Sequence, residues 1–224
     1  MTLIPEIRSG LAAAGDAERA KAQQAYMKSA MAYAGVLTPE MRKIVRALVH
    51  THPIETRDAW HDTVMTLWRE ANVREERYAA TEIAAHRAYA GYALDPASLT
   101  MYEEMIVTGA WWDHVDAVAT VLVGPLLPGV TSTMRAWSTD ADMWKRRTSI
   151  ICQVGRGADV DTRLLADAIT ANIAEKDFFL RKAIGWGLRQ HARVDPHWVR
   201  AFVGAHPELS GLSRREALRH LGTV

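Results

Sequence analysis

The chain has 224 residues, 49% of them hydrophobic, and 27 Lys+Arg against 26 Asp+Glu. That supplies a sizeable core without staples, and the single cysteine, Cys152, excludes an intramolecular disulfide and suits a reducing cytoplasm. No CxxC, HExxH or Cys/His cluster is present, and His50 and His52 diverge on a helix while Asp195-Pro196 separates His191 from His197, so neither a metal nor another cofactor is expected.

Residues 1–6 show no basic segment leading into an apolar run, and the longest apolar stretch, 118–130, is interrupted by Pro125 and Pro128. Neither a signal peptide nor a membrane span is expected, and the reading is a soluble cytoplasmic protein.

From there on the signals are helical. Apolar periodicity predicts helices over 16–35, 38–52, 55–71, 73–90, 95–108, 111–124, 128–138, 141–155, 159–174, 176–193, 195–205 and 213–221. Thr38-Pro39, Asp95-Pro96 and Asp195-Pro196 each read as an N-cap followed by proline at the first helical position, and Ser213-Arg214-Arg215-Glu216 reads as a capping box. Twelve helices with short links make an all-α chain. Stacked helix pairs of about forty residues are the pattern of HEAT-type solenoids, with a compact bundle as the competing architecture. No low-complexity tract or long linker divides the chain, so 1–224 is expected to be a single domain.

Several positions depart from a simple core-and-surface pattern. Near the N-terminus Tyr26 is an aromatic beside Lys28, ordinary for a surface. In Trp111-Trp112-Asp113-His114-Val115-Asp116, helical spacing places Trp111 on an apolar stripe with Val115, Val118 and Leu122, and Trp112 on a face with Asp116. That is a displayed aromatic beside a carboxylate, or else a partly exposed tryptophan near a helix start whose acids complement the macrodipole. Arg147 shares a face with Met143, Trp144, Ile150 and Ile151, so it needs an internal carboxylate or an external anion. Trp186 is the inverse case, with Lys182, Ala183, Arg189 and Gln190 as helical neighbours and a glycine on either side. Those glycines invite close approach by something flat or by backbone, or the tryptophan packs on a neighbouring repeat under the stems of Lys and Arg.

Charge is uneven along the chain. Residues 1–134 carry 12 Lys+Arg against 16 Asp+Glu, a net of −4, while 135–224 carry 15 against 10, a net of +5. A basic C-terminal region is what a polyanion-binding face needs, and it is also an ordinary solvated surface.

Taken together, Tyr26-Met27-Lys28, Thr38-Pro39-Glu40, the Trp111-to-Asp116 block, Trp144-x-x-Arg147, Phe178-Phe179-x-x-Lys182-Ala183-Ile184-Gly185-Trp186-x-Leu188-Arg189 and Ser213-x-Arg215-Glu216-Ala217 resemble the AlkD family of bacterial DNA alkylation-repair glycosylases. The likeness runs through nearly the whole chain. It implies an α-α superhelix of about six HEAT-like repeats, monomeric, with a basic concave face that cradles duplex DNA containing alkylated purines. It further implies excision of cationic N3- and N7-alkylated purines, with Asp116, Trp112 and Trp186 forming the catalytic cleft. Arg147 would contact phosphate, and Tyr26, Arg189, Lys182 and Arg215 would lie at the DNA. Where the family carries a lysine shortly after the arginine, this chain has Gly155, so that contact is either lost or taken over by Arg156.

The chemistry is coherent with such a residue set. Glycosidic cleavage passes through an oxocarbenium-like transition state, and most glycosidases need two carboxyl groups because the leaving group must be protonated. An alkylated purine already carries its charge, so one carboxylate, Asp116, can suffice beside the two indole faces. Two other readings use the same helical fold: a DNA-binding module without catalysis, and a protein-interaction scaffold.

Overall fold

A computed structural model describes residues 3–221. Among these residues there is no β-strand. The chain divides into two compact units, Met1–Met101 and Tyr102–Val224, which are described in turn.

The first unit contains α1 (Leu3–Ala13), α2 (Ala17–Met27), α3 (Thr38–Thr51), α4 (Arg57–Arg69), α5 (Arg74–Ala84), the short α6 (Ala90–Ala93) and the start of α7 (Leu99–Gly109). Helix α1 lies outside the sequence expectation although Leu3, Ile7 and Leu11 recur every four residues on its buried side. The helix expected over 16–35 ends at Met27, where Lys28 takes a left-handed conformation (φ 51°). The segment beyond Lys28 is held from elsewhere in the unit. The buried Glu75 carboxylate accepts from the backbone amides of Ala34 (2.9 Å), Gly35 (2.8 Å) and Val36 (3.1 Å). A long-range carboxylate offering three hydrogen bonds outcompetes the local helix. Thr38 is not a cap, because Leu37 occupies that position and no side chain caps the helix. Helices α1, α3 and α5 pack in succession, with α4 against α5.

The second unit continues α7 and adds α8 (Trp112–Ala117), a π-helical turn (Val118–Val123), α9 (Thr131–Trp137), α10 (Met143–Ile151), α11 (Thr162–Ala171), α12 (Phe178–His191), α13 (Pro196–Ala205) and α14 (Gly211–Leu218). Aspartates start most of them. Asp142 accepts from the amides of Trp144 and Lys145, Asp161 from Arg163 and Leu164, Asp177 from Phe179 and Leu180, and Asp195 from Trp198. The last helix starts on Ser210, not on the expected box. Ser213 lies inside it and its hydroxyl donates to the Arg181 carbonyl at 2.9 Å.

Contacts in this unit follow an alternating rule. Helices α8, α10, α12 and α14 each pack on the next of that set, α9 packs on α11, and α13 packs on α12 and α14. Two layers of alternate helices are the arrangement of stacked helical pairs, as the sequence periodicity anticipated. A core of Ile150, Ile151, Leu165, Ile169, Leu180, Ile184, Leu188 and Val199 fills the space between them.

Close approach of α12 to its neighbours depends on two glycines. A Cβ on Gly185 would stand 2.5 Å from Glu216 Cβ and 3.1 Å from the Ser213 carbonyl, and one on Gly187 would stand 3.3 Å from the Ile150 carbonyl. The glycines beside Trp186 therefore admit helices α14 and α10. Gly204 in α13 has nothing within 4 Å of such a Cβ. Gly185→Ala is expected to destabilise by about 1–3 kcal/mol through overpacking, whereas Gly204→Ala should be neutral or stabilise by up to about 1 kcal/mol. Urea denaturation of the two variants checks both signs.

Candidate active site

Every polar group of the candidate site comes from the layer made by α8, α10, α12 and α14. Ahead of α8, Ala110 is left-handed (φ 37°) and Trp111 is extended at the cap position, a sharp turn that delivers two tryptophans in succession. Trp111 is half-buried. It packs in an aromatic cluster, with ring centroids 5.3 Å from Phe179 and 6.4 Å from Trp144, while Trp144 and Phe179 are 5.2 Å apart.

Trp112 and Asp116, one turn apart on α8, line a cleft of about 380 Å³ together with Arg147 of α10 and Phe178, Phe179, Lys182, Trp186 and Arg189 of α12. Immediately after Asp116 the helix widens into the π turn, and Thr120 Oγ1 donates to the Asp116 carbonyl at 2.7 Å. Such wide turns recur at functional positions.

The centre of the cleft is an ion pair. Arg147 Nε donates to Asp116 Oδ1 at 2.7 Å and Nη2 donates to Oδ2 at 2.8 Å, while Nη1 donates to the Phe179 carbonyl. Arg147 is only 5% exposed. Of the two partners open to it on sequence grounds, the structure supplies the internal carboxylate. In the free protein, Asp116 and the Phe179 carbonyl engage three of its N–H donors. Burial pushes the Asp116 carboxyl above the ordinary aspartate range, with a smaller contribution from Asp113, and the Arg147 fork acts against that rise. Asp116 keeps 17% of its side-chain surface, so it remains reachable from the cleft.

On α12, Phe178, Lys182 and Trp186 follow at intervals of four, with Arg189 three further on, opposite the buried Leu180, Ala183, Ile184 and Leu188. Both cations are anchored. Lys182 Nζ lies 3.1 Å from Glu216 Oε1, and Arg189 Nη1 donates to Glu216 Oε2. Burial pushes the Glu216 carboxyl up, but Lys182 and Arg189 outweigh that and hold it below the ordinary glutamate range.

Three expected DNA-side residues lie outside this cleft. Arg156 Nη1 donates to the Gly124 carbonyl at 2.9 Å, just past the π turn. Gly155 (φ 90°) lines a separate cavity beside Gly187 and His191. Arg215 is exposed on α14, and Tyr26, 78% exposed, belongs to the first unit. Phe178 and Glu216 were not singled out from sequence as site residues. The four-residue spacing from Trp186 back through Lys182 reaches Phe178, whereas nothing local in the sequence connects Glu216 to α12.

A family model described as DNA alkylation repair enzyme matches residues 7–221. The chain belongs to the DNA alkylation repair enzyme family. A solved structure, the predicted DNA alkylation repair enzyme from Enterococcus faecalis, superposes with a TM-score of 0.84 at 25% identity, covering 94% of this chain and 98% of that one. This family member thus shares an all-helical fold with that neighbour over nearly its full length. No curated protein matches. Among the described residues no group of three or more His, Cys, Asp or Glu side chains is placed to hold a metal, and no helix is long and apolar enough to cross a membrane.

The Asp116–Arg147 pair sets a titration whose sign is fixed. Asp116 should titrate above the ordinary aspartate range, and Arg147→Met, which removes the guanidinium that lowers it, should move the titration to higher pH. The same substitution leaves a buried charge without its partner and should destabilise by about 3–5 kcal/mol. Carboxyl carbon NMR of the two proteins across pH 3–8, at temperatures where both remain folded, measures the first effect, and thermal denaturation measures the second.

Proposed function

We propose that this family member is a DNA glycosylase that hydrolyses the N-glycosidic bond of cationic N3- and N7-alkylated purines in duplex DNA, acting as a monomer on cytoplasmic DNA with the whole chain as one functional domain. One observation carries the reading: a single carboxylate, Asp116, is fixed by a bidentate arginine in a cleft that also presents the indoles of Trp112 and Trp186 and the cations of Lys182 and Arg189.

The chemistry follows from the charges. The leaving purine is already cationic, so it departs with the bonding electrons as a neutral base and needs no general acid. Positive charge then develops on the deoxyribose, and the ionised Asp116 stabilises it and orients the attacking water. Arg147 acts as a positioning residue. Its two donors hold both carboxylate oxygens in one orientation before substrate arrives, so little reorganisation is needed during the reaction. The indole faces of Trp112 and Trp186 add attraction to a cationic sugar, on the order of 1–2 kcal/mol in a desolvated cleft. Lys182 and Arg189 meet the phosphates on either side. The reaction is carried out on the sugar and backbone with the base left outside, so bulky adducts should be accepted.

Release of free base from alkylated duplex tests the reading. Asp116→Asn should retain duplex affinity within about threefold and lose about 100-fold or more in single-turnover release, the scale for removing one preorganised electrostatic group. Wild-type protein should release 7-alkylguanine and leave uracil in place, because uracil brings no charge. Release of 7-alkylguanine no faster than its spontaneous loss would leave a DNA-binding module without catalysis.

A further inference from the structure

The cleft holds more cationic side chains than it displays. Asp116 and Arg147 neutralise one another, so the cations left to meet a phosphate are Lys182 and Arg189. Both are engaged by Glu216, one on each carboxylate oxygen. Glu216 keeps 15% of its side chain exposed, against 38% for Lys182 and 19% for Arg189. Its place is fixed by backbone packing, because Gly185 allows α14 to approach until the stem of Glu216 lies against α12.

We propose that Glu216 is a specificity-determining residue, standing in the free protein where a DNA phosphate would otherwise pair with Lys182 and Arg189. A carboxylate bridging two cations resembles the anion it keeps out. A duplex must exchange its own phosphate oxygens for those of Glu216, and that exchange gains little net electrostatic energy. Undamaged duplex is therefore held weakly. Firm binding requires further contacts at Asp116, Trp112 and Trp186, and a nucleotide with a cationic base or sugar supplies them. Glu216 also reduces the positive charge that such a nucleotide meets, from two cations to a net of one. This rests on the glycosylase reading for the identity of the cationic nucleotide, and on the ion-pair geometry alone for the effect on undamaged duplex.

The test compares wild type, Glu216→Gln and Glu216→Asp in binding to an undamaged duplex and to the same duplex carrying a cationic azasugar nucleotide, across a salt series. Glutamine preserves the packing against Gly185 and removes the charge, and thermal melting verifies that each variant is folded. Glu216→Gln should bind undamaged duplex about 3- to 10-fold more tightly at 50 mM salt, with a salt slope steeper by about one. Its preference for the cationic duplex should fall by a similar factor. Glu216→Asp, which keeps the charge and withdraws it from both cations, should fall between the two, and adding Lys182→Met to Glu216→Gln should return undamaged-duplex affinity toward wild type. Unchanged or weaker binding of undamaged duplex by folded Glu216→Gln and Glu216→Asp would overturn the proposal. That outcome is separate from failure of base release, which bears on the glycosylase reading and leaves the duplex measurement intact.

Discussion

The candidate site depends on one guanidinium. Arg147 rises from the middle of α10, is almost completely buried, and directs its donors to Asp116 on α8 and to the Phe179 carbonyl at the start of α12. Withdrawing such a group from water is unfavourable unless its donors are satisfied, so the three helices must present acceptors together. The planar fork also imposes direction, because both carboxylate oxygens are met at once. A lysine in its place could neutralise Asp116 without fixing its orientation.

The helix stack makes that convergence possible. Alternate helices lie side by side, so residues some thirty positions apart in the chain fall on one layer: Asp116, Arg147, Lys182 and Glu216 are spaced at roughly one helical pair. Gly185 and Gly187 set how closely α12 approaches α14 and α10. The aromatic cluster of Trp111, Trp144 and Phe179 includes the residue whose carbonyl accepts from Arg147. A side chain at Gly185 would thus disturb packing and the placement of Glu216 together.

Electrostatically the cleft consists of two linked units. In the first a carboxylate is held by an arginine; in the second two cations are held by a carboxylate. Each arrangement pairs a charge without removing it, and the two cations of the second retain more exposure than Arg147.

Much of this was legible in the residues alone. The all-helical class follows from a period that survives any arrangement of the helices, and the Trp112–Asp116 pairing and the Lys182–Trp186–Arg189 face follow from rules acting within one helix. The anomaly at Arg147 was visible too, because an arginine on an apolar stripe demands a partner wherever the stripe is buried. Its partner could not be named, since an internal carboxylate and an external phosphate satisfy the same fork. Long-range competition decided the rest. Glu75 holds the backbone of residues 34–36 out of the helix expected there, the Gly124 carbonyl accepts from Arg156, and Gly185 admits Glu216 to the two cations. Sequence determined which side chains share a helix face, because helical geometry is local. Only the tertiary structure decided which charges meet across faces, because that depends on how closely separate helices approach.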